Sequence, residues 1–189
     1  MTRSFAFADP PYLGCCKLYG HHHPAGDRPF DGRCWDEPET HQLLIEWLVD
    51  TFPDGWALCA SAPSLRTLLP FTPDHVRIAP WVKTFCAFKK GVRPAYAWEP
   101  VLFHSRRNPP HSPHAPPVKN GEQNTPKDFY AGPITLMKGL TGAKSEDFCA
   151  WVLSLLNVLP GDNVTDVFVG TGSMTRVSQK LTKQHLLFP

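Results

Sequence analysis

Ser4-Phe5-Ala6-Phe7-Ala8-Asp9-Pro10-Pro11-Tyr12 is a short apolar run that stops on a carboxylate, two prolines and an aromatic ring. It reads as a strand over residues 4–9, ended by prolines that cannot continue a hydrogen-bonded ladder. A long loop rich in Gly and Pro follows to residue 38, and Glu39 to Phe52 reads as a helix with Leu43, Leu44, Trp47, Leu48 and Phe52 at apolar spacing. Pro53-Asp54-Gly55 ends that helix, and Trp56–Ala60 is a short buried strand. Ser61 or Ser64 caps a short helix closed by Pro70; Val76–Lys83 and Pro100–His104 are further strands. Glu146 to Val158 is a second clear helix, with Phe148, Trp151, Val152, Leu155 and Leu156 on one stripe. Pro160-Gly161-Asp162 turns into a strand over Asn163–Val169, and a last helix starts near Ser173. Strands alternating with helices predict an α/β sheet of Rossmann type, mixed but mostly parallel, with helices on both faces.

The 189 residues are expected to form a single domain, and an apolar content of 42% suffices for a real core. Two stretches stand apart from it: a loop at 13–38 and a Pro-rich flexible segment at 106–133 without apolar periodicity. The first apolar run is too short for a secretory signal, and no 18-residue apolar stretch exists, so the expectation is a cytoplasmic protein that spans no membrane. Six cysteines without a Cys-x-x-Cys pair then read as reduced thiols.

Net charge is only +2, so no global field demands nucleic acid. Local clustering says more. Lys83, Lys89, Lys90, Arg93, Arg106 and Arg107 interleave with Phe85, Phe88, Tyr96 and Trp98, a pattern suited to a groove that tracks a nucleic-acid backbone and stacks bases. A solvated surface of strands and loops has the same composition. His21-His22-His23, near Cys15, Cys16 and Cys34, lacks a recognised ligand spacing, so no metal is expected.

Gly170-Thr171-Gly172, between a strand and a helix, has the form of a nucleotide-binding turn, yet Thr175 stands where a dinucleotide fingerprint needs a third glycine. Lys138-Gly139-Leu140-Thr141-Gly142-Ala143-Lys144-Ser145 departs from a P-loop at positions 138 and 143, which excludes that NTPase motif. Proline is abundant, 21 residues against about 5% in average proteins, and Pro109-Pro110 and Pro116-Pro117 also pair. Only Pro10-Pro11 has an apolar strand before it and a tyrosine after it.

These elements together resemble the amino-directed, S-adenosylmethionine-dependent DNA methyltransferases of the permuted, β-like order. In that family the Asp-Pro-Pro-Tyr motif comes first and the cofactor motif near the C-terminus. Thr141-Gly142-Ala143-Lys144-Ser145 is similar to the family's Thr-x-Lys-Pro segment, and Pro160 to Gly172 to its Pro-Gly-Asp…Asp-Pro-Phe-x-Gly-Ser-Gly run. Trp81-Val82-Lys83 and Ala97–Leu102 look like its middle strands.

The resemblance implies a Rossmann-like methyltransferase fold, truncated after the cofactor helix, that methylates the N6 amine of adenine in DNA, as restriction-modification enzymes do. Asp9, Pro10, Pro11 and Tyr12 would be catalytic: the Asp9 carboxylate and the Pro10 carbonyl accept from the amine, and Tyr12 stacks on the base. S-adenosylmethionine would meet Thr141, Lys144, Ser145, Asp166, Phe168, Gly170, Thr171 and Gly172. The carboxylate that holds the cofactor ribose in the family has no visible counterpart. DNA is the expected partner, with a second copy or a specificity subunit compatible with the short 106–133 segment. Three readings stand beside this one: a catalytically degenerate nucleic-acid binder of the same fold, an RNA methyltransferase, and methylation at cytosine N4.

Overall fold

Residues 2–18, 26–85, 91–107, 126–135 and 142–187 are described by a computed structural model, with side chains as far as Leu181. Six strands among them form one sheet: β1 (Ser4–Ala8), β2 (Gly55–Cys59), β3 (Arg77–Lys83), β4 (Trp98–Ser105), β5 (Tyr130–Gly132) and β6 (Asn163–Asp166), in the order β5-β3-β4-β2-β1-β6. All pairs are parallel except the two that β4 makes, with β2 and with β3. The N-terminal strand is therefore interior, and β6, from the far end of the sequence, lies directly beside it with Phe7 opposite Asp166.

The pleat of β1 divides the core. Phe5 and Phe7 point to one face, under α3 (Glu146–Leu155) and α4 (Ser173–Leu187), where they meet Phe148, Val152, Leu156 and Met174. Ala6 and Ala8 point to the other, under α1 (Pro38–Thr51) and the short α2 (Leu65–Leu68), among Trp56, Leu58, Leu44 and Leu48. Both faces are dry from Phe5 to Ala8, so these four residues of β1 are all apolar, as an interior parallel strand requires. Each fully buried side chain such as Phe5, Leu44 or Phe148 contributes about 1.5–3 kcal/mol.

Local chemistry sets the helix ends. Pro38 lies in the first turn of α1, where its missing N–H costs nothing, and Phe52 closes the helix by donating to the Leu48 carbonyl. Ser145 caps α3, its hydroxyl accepting from the Phe148 N–H at 3.1 Å, and Glu146 and Asp147 follow in the first turn, where the helix dipole favours negative charge. At the other end Asn157 takes a left-handed conformation (φ 55°), and Val158 N–H reaches back to the Leu153 carbonyl at 3.0 Å.

One expectation changes. The segment 106–133, read as irregular, contains β5, which pairs with β3 at the sheet edge. Three residues are too few for a periodic signal. Tertiary partners hold them instead: Trp81 Nε1 donates to the Gly132 carbonyl at 3.1 Å, and Tyr130 stacks on Trp151 with centroids 5.8 Å apart. The described part of the 13–38 loop packs on the core. Phe30 and Trp35 are buried against Trp47 of α1 and Phe168 after β6. Among the described residues, no helix is long and apolar enough to cross a membrane.

Candidate functional site

The parallel strands end together on one edge of the sheet, and β4, running the other way, brings its first residues to the same edge. Asp9 follows β1, Glu99 is the second residue of β4, and Lys83 is the last of β3. Lys144 enters this group from the segment ahead of α3. Its ammonium, only 6% exposed, donates to Asp9 Oδ1 at 2.9 Å, to the Tyr12 hydroxyl at 3.0 Å and to the Gly142 carbonyl at 3.2 Å. The Tyr12 hydroxyl donates to Glu99 Oε2 at 2.8 Å, and Lys83 pairs with Glu99. Two lysines thus face two carboxylates.

Burial governs the protonation of each group. It pushes the Asp9 carboxyl up, against the opposing Lys144 charge, while Glu99 adds to the rise. Burial raises Tyr12 well above the ordinary phenol, so it stays a neutral donor. Glu99 feels the same desolvation, but Lys144 and Lys83 outweigh it and hold its carboxyl below the usual value. Desolvation also opposes the Lys144 charge, and the carboxylates of Asp9 and Glu99 overcome it, so Lys144 stays above the usual lysine range.

Beside Asp9 opens a cleft of about 480 Å³, within the roughly 300–1,000 Å³ of small-molecule sites. Phe7, Asp9 and Pro11 line it together with Asp166, Phe168, Val169, Gly170, Thr171 and Met174. Gly170 and Gly172 take left-handed conformations (φ 49° and 71°), which fold the chain from β6 into α4 while keeping side chains off the loop. The first turn of α4 follows at once, with backbone N–H groups that no helical carbonyl accepts from. Asp166 accepts from the Thr175 hydroxyl at 2.9 Å through Oδ2, while its buried Oδ1 has no partner among the described residues. Burial raises this carboxyl too.

The expected residues divide clearly. Asp9, Pro11, Lys144, Asp166, Phe168, Gly170 and Thr171 converge on the cleft, and Gly172 shapes its loop. Pro10 is buried behind Asp9. Tyr12 is 9% exposed with its hydroxyl committed to the carboxylates, so it closes the side of the site rather than offering an open ring. Ser145, expected at a cofactor, does not line the cleft and spends its hydroxyl on capping α3. Thr141, Lys89, Lys90 and His21–His23 lie outside the described residues.

The basic cluster separates. Lys83 is paired at the site and Arg93 is exposed, but Arg106 and Arg107 are at the opposite edge of the sheet. Strand β4 carries the chain there, roughly 25 Å away at ~3.3 Å per residue. Arg107 is held by Asp162, by the Asn157 carbonyl and over the Phe5 ring, so it serves the fold and not an open groove. Glu99 is the residue that sequence reasoning missed. Its only signal is a carboxylate at the start of an apolar strand, and which end of the sheet that start occupies depends on β4 running antiparallel. Among the described residues, no group of three His, Cys, Asp or Glu is placed to hold a metal ion.

No protein-family model matches the chain, and no curated protein matches it. Solved structures do. The chain is similar to the crystal structure of the M1.HpyAVI–SAM complex, at 16% sequence identity and a TM-score of 0.53, over 96% of this chain and 79% of that one. The fold is of the Rossmann-like methyltransferase type. At that identity the likeness speaks for the backbone arrangement; the chemistry has to come from the residues of the cleft.

Proposed function

We propose that this protein transfers a methyl group from S-adenosylmethionine to the N6 amine of adenine in DNA. One observation carries the reading: the Asp9 carboxylate and the Gly170–Thr171 loop, from opposite ends of the sequence, line one cleft of small-molecule size. The similar M1.HpyAVI structure, solved as a SAM complex, supports the choice of cofactor.

The residues present fit that group. The unpartnered Asp166 Oδ1 and the first-turn N–H groups of α4 that no helical carbonyl accepts from offer an acceptor and donors for its polar ends. Phe168, Val169 and Met174 give apolar surface for its adenosine. Bound there, S-adenosylmethionine would supply an electrophilic methyl carried on a sulfonium.

The work of the chain is to make a poor nucleophile available. The N6 lone pair of adenine is delocalised into the ring. An ionised Asp9 and the Pro10 carbonyl accept from its two N–H bonds, which localises the lone pair and aims it into the cleft. The Tyr12 ring walls the site, and its hydroxyl, donated to Glu99, lies 3.3 Å from Asp9 Oδ1. Aspartate at position 9 favours adenine over cytosine N4.

Labelled methyl from S-adenosylmethionine, offered to unmethylated DNA and followed by nucleoside analysis, tests this directly. Label in N6-methyladenine that disappears in Asp9→Ala supports the reading. Label only in cytosine or only in RNA sinks the substrate assignment. Nucleic-acid binding that is equal in wild type and Asp9→Ala, without transfer to any acceptor, favours a silent binder of the same fold. That second reading draws on the Asp9 carboxylate already being bonded to Lys144.

A further inference from the structure

The Lys144 ammonium has three donors, and all three are used within the chain, on Asp9, Tyr12 and Gly142. It is therefore bound to the catalytic end of the cleft rather than offered to a cofactor. On Asp9, the Lys144 bond and the close approach of the Tyr12 hydroxyl both fall on Oδ1. Oδ2 has no partner among the described residues, and the side chain keeps 20% of its surface exposed. One oxygen is tethered and the other is available.

We propose that Lys144 is a positioning residue: it keeps Asp9 a charged, acceptor-only group with Oδ2 presented to the substrate amine, and Glu99 tempers its hold. The inference rests on the methyl-transfer reading for its purpose, but its physical content concerns Asp9 alone. A buried carboxyl without a counter-charge takes up a proton. Protonated, Asp9 would offer an O–H where the amine needs an acceptor, and the lone pair would stay in the ring. Lys144 stands against that outcome. Glu99, on β4, acts in the opposite sense, because it repels the Asp9 charge and shares Lys144 at 3.8 Å.

The other groups that face this pair do not supply the charge. Tyr12 is neutral. Cys59 on β2 and Cys149 on α3 are thiols that burial keeps protonated, Cys149 being pushed up to about 12. Asp166 on β6 is a further carboxyl, which burial and the Asp9 charge both raise. Lys83 bonds Glu99, which relieves part of the demand that Glu99 makes on Lys144. Lys144 is the one cation among the described residues in direct contact with Asp9.

The test is the titration of the Asp9 carboxyl in the full-length protein, followed by NMR with carbon-13-labelled aspartate and assigned with Asp9→Asn. Lys144→Met should raise the midpoint by about one pH unit or more, as expected when a contacting opposite charge is removed. Lys144→Arg should restore much of the wild-type value, and Glu99→Gln should move the midpoint down. The acid limb of the kcat/KM profile for methyl transfer should follow the same three directions. A general loss of packing in Lys144→Met would not lower the midpoint in Glu99→Gln, so the two opposite shifts separate charge from structure. A midpoint unmoved in Lys144→Met, or moved upward in Glu99→Gln, overturns the inference whatever the activity. Absence of methyl transfer in the wild type, with the NMR shifts present, sinks the functional reading and leaves the role of Lys144 standing.

Discussion

The guanidinium of Arg28 donates to the Val167 carbonyl at 2.9 Å and lies 5.6 Å from the centre of the Phe168 ring. One side chain thus ties the described part of the 13–38 loop to the loop that walls the cleft. Asp31 braces Arg28 through a paired contact at 2.8 Å, and Phe30 and Trp35 pack against Phe168 from the same side. Arg28→Ala should destabilise the protein by about 1 kcal/mol, the worth of a partly exposed hydrogen-bonded charge. It should also speed amide hydrogen exchange at residues 167–172. Equal exchange in the two proteins would mean that the aromatic contacts alone hold the loop.

At the far edge, Asp162 gathers Arg107, the Arg3 N–H and the Leu159 N–H. Desolvation works against its charge, but these donors outweigh it and hold the carboxyl below the ordinary 3.8. The sign follows: a lowered carboxyl stabilises the fold above about pH 4, and that stability is lost as pH falls through the folded value. Arg107→Ala should cost about 2 kcal/mol in urea unfolding at neutral pH. The cost should shrink in acid, and nucleic-acid affinity should hardly change. A large loss of affinity at constant stability would return Arg107 to the binding surface.

His41, on the buried face of α1, is 2% exposed, with Nε2 at 2.9 Å from the Trp35 carbonyl oxygen. A carbonyl only accepts, so Nε2 carries the proton, and the buried Nδ1 has no partner among the described residues. Burial lowers its affinity for a second proton below the ordinary 6.5. The unfolded chain therefore binds that proton first, and stability falls as pH drops below about 6.5. Urea unfolding at about pH 7.5 and pH 5 should show this fall in the wild type and a smaller one in His41→Gln. Parallel curves for the two proteins would assign the acid sensitivity elsewhere.

Gly172→Ala forces a left-handed residue (φ 71°) to carry a side chain, at a cost of about 1–2 kcal/mol. Its Cβ would lie 3.4 Å from Arg176 Nη1, which donates to the Thr171 carbonyl in the cleft wall. Gly170→Ala carries similar strain, but its Cβ meets nothing nearer than 3.7 Å. Stability should drop in both. Affinity for S-adenosylmethionine, measured by calorimetry, should drop further in Gly172→Ala. Unchanged affinity in both variants would remove this loop from the cofactor site.

The division of labour between sequence and tertiary structure is plain in particular residues. Alternation and spacing determined β1, α1 and α3, because an interior strand and a one-sided helix need apolar residues at fixed periods. Pro10 marked the end of β1 and Gly170-Thr171-Gly172 the turn into α4 through backbone chemistry that needs no neighbour, although β6 stops at Asp166 rather than at the expected Val169. The Rossmann-like arrangement followed from the order of those elements. What lay beyond reach was everything set by strand direction and register. β5 has three residues and exists because Trp81 and Trp151 receive it. Arg106 and Arg107 follow Lys83 within one basic stretch, yet β4 separates them by the depth of the sheet. Glu99, an unremarked carboxylate in the sequence, reaches Tyr12 and Lys83 because β4 runs antiparallel. Lys144 changes its expected partner for the same kind of reason: the segment ahead of α3 lies over the end of β1, so its ammonium meets Asp9 across 135 residues of chain. Periodicity is a local property and is written in the sequence; the meeting of buried charges is a property of the packed sheet.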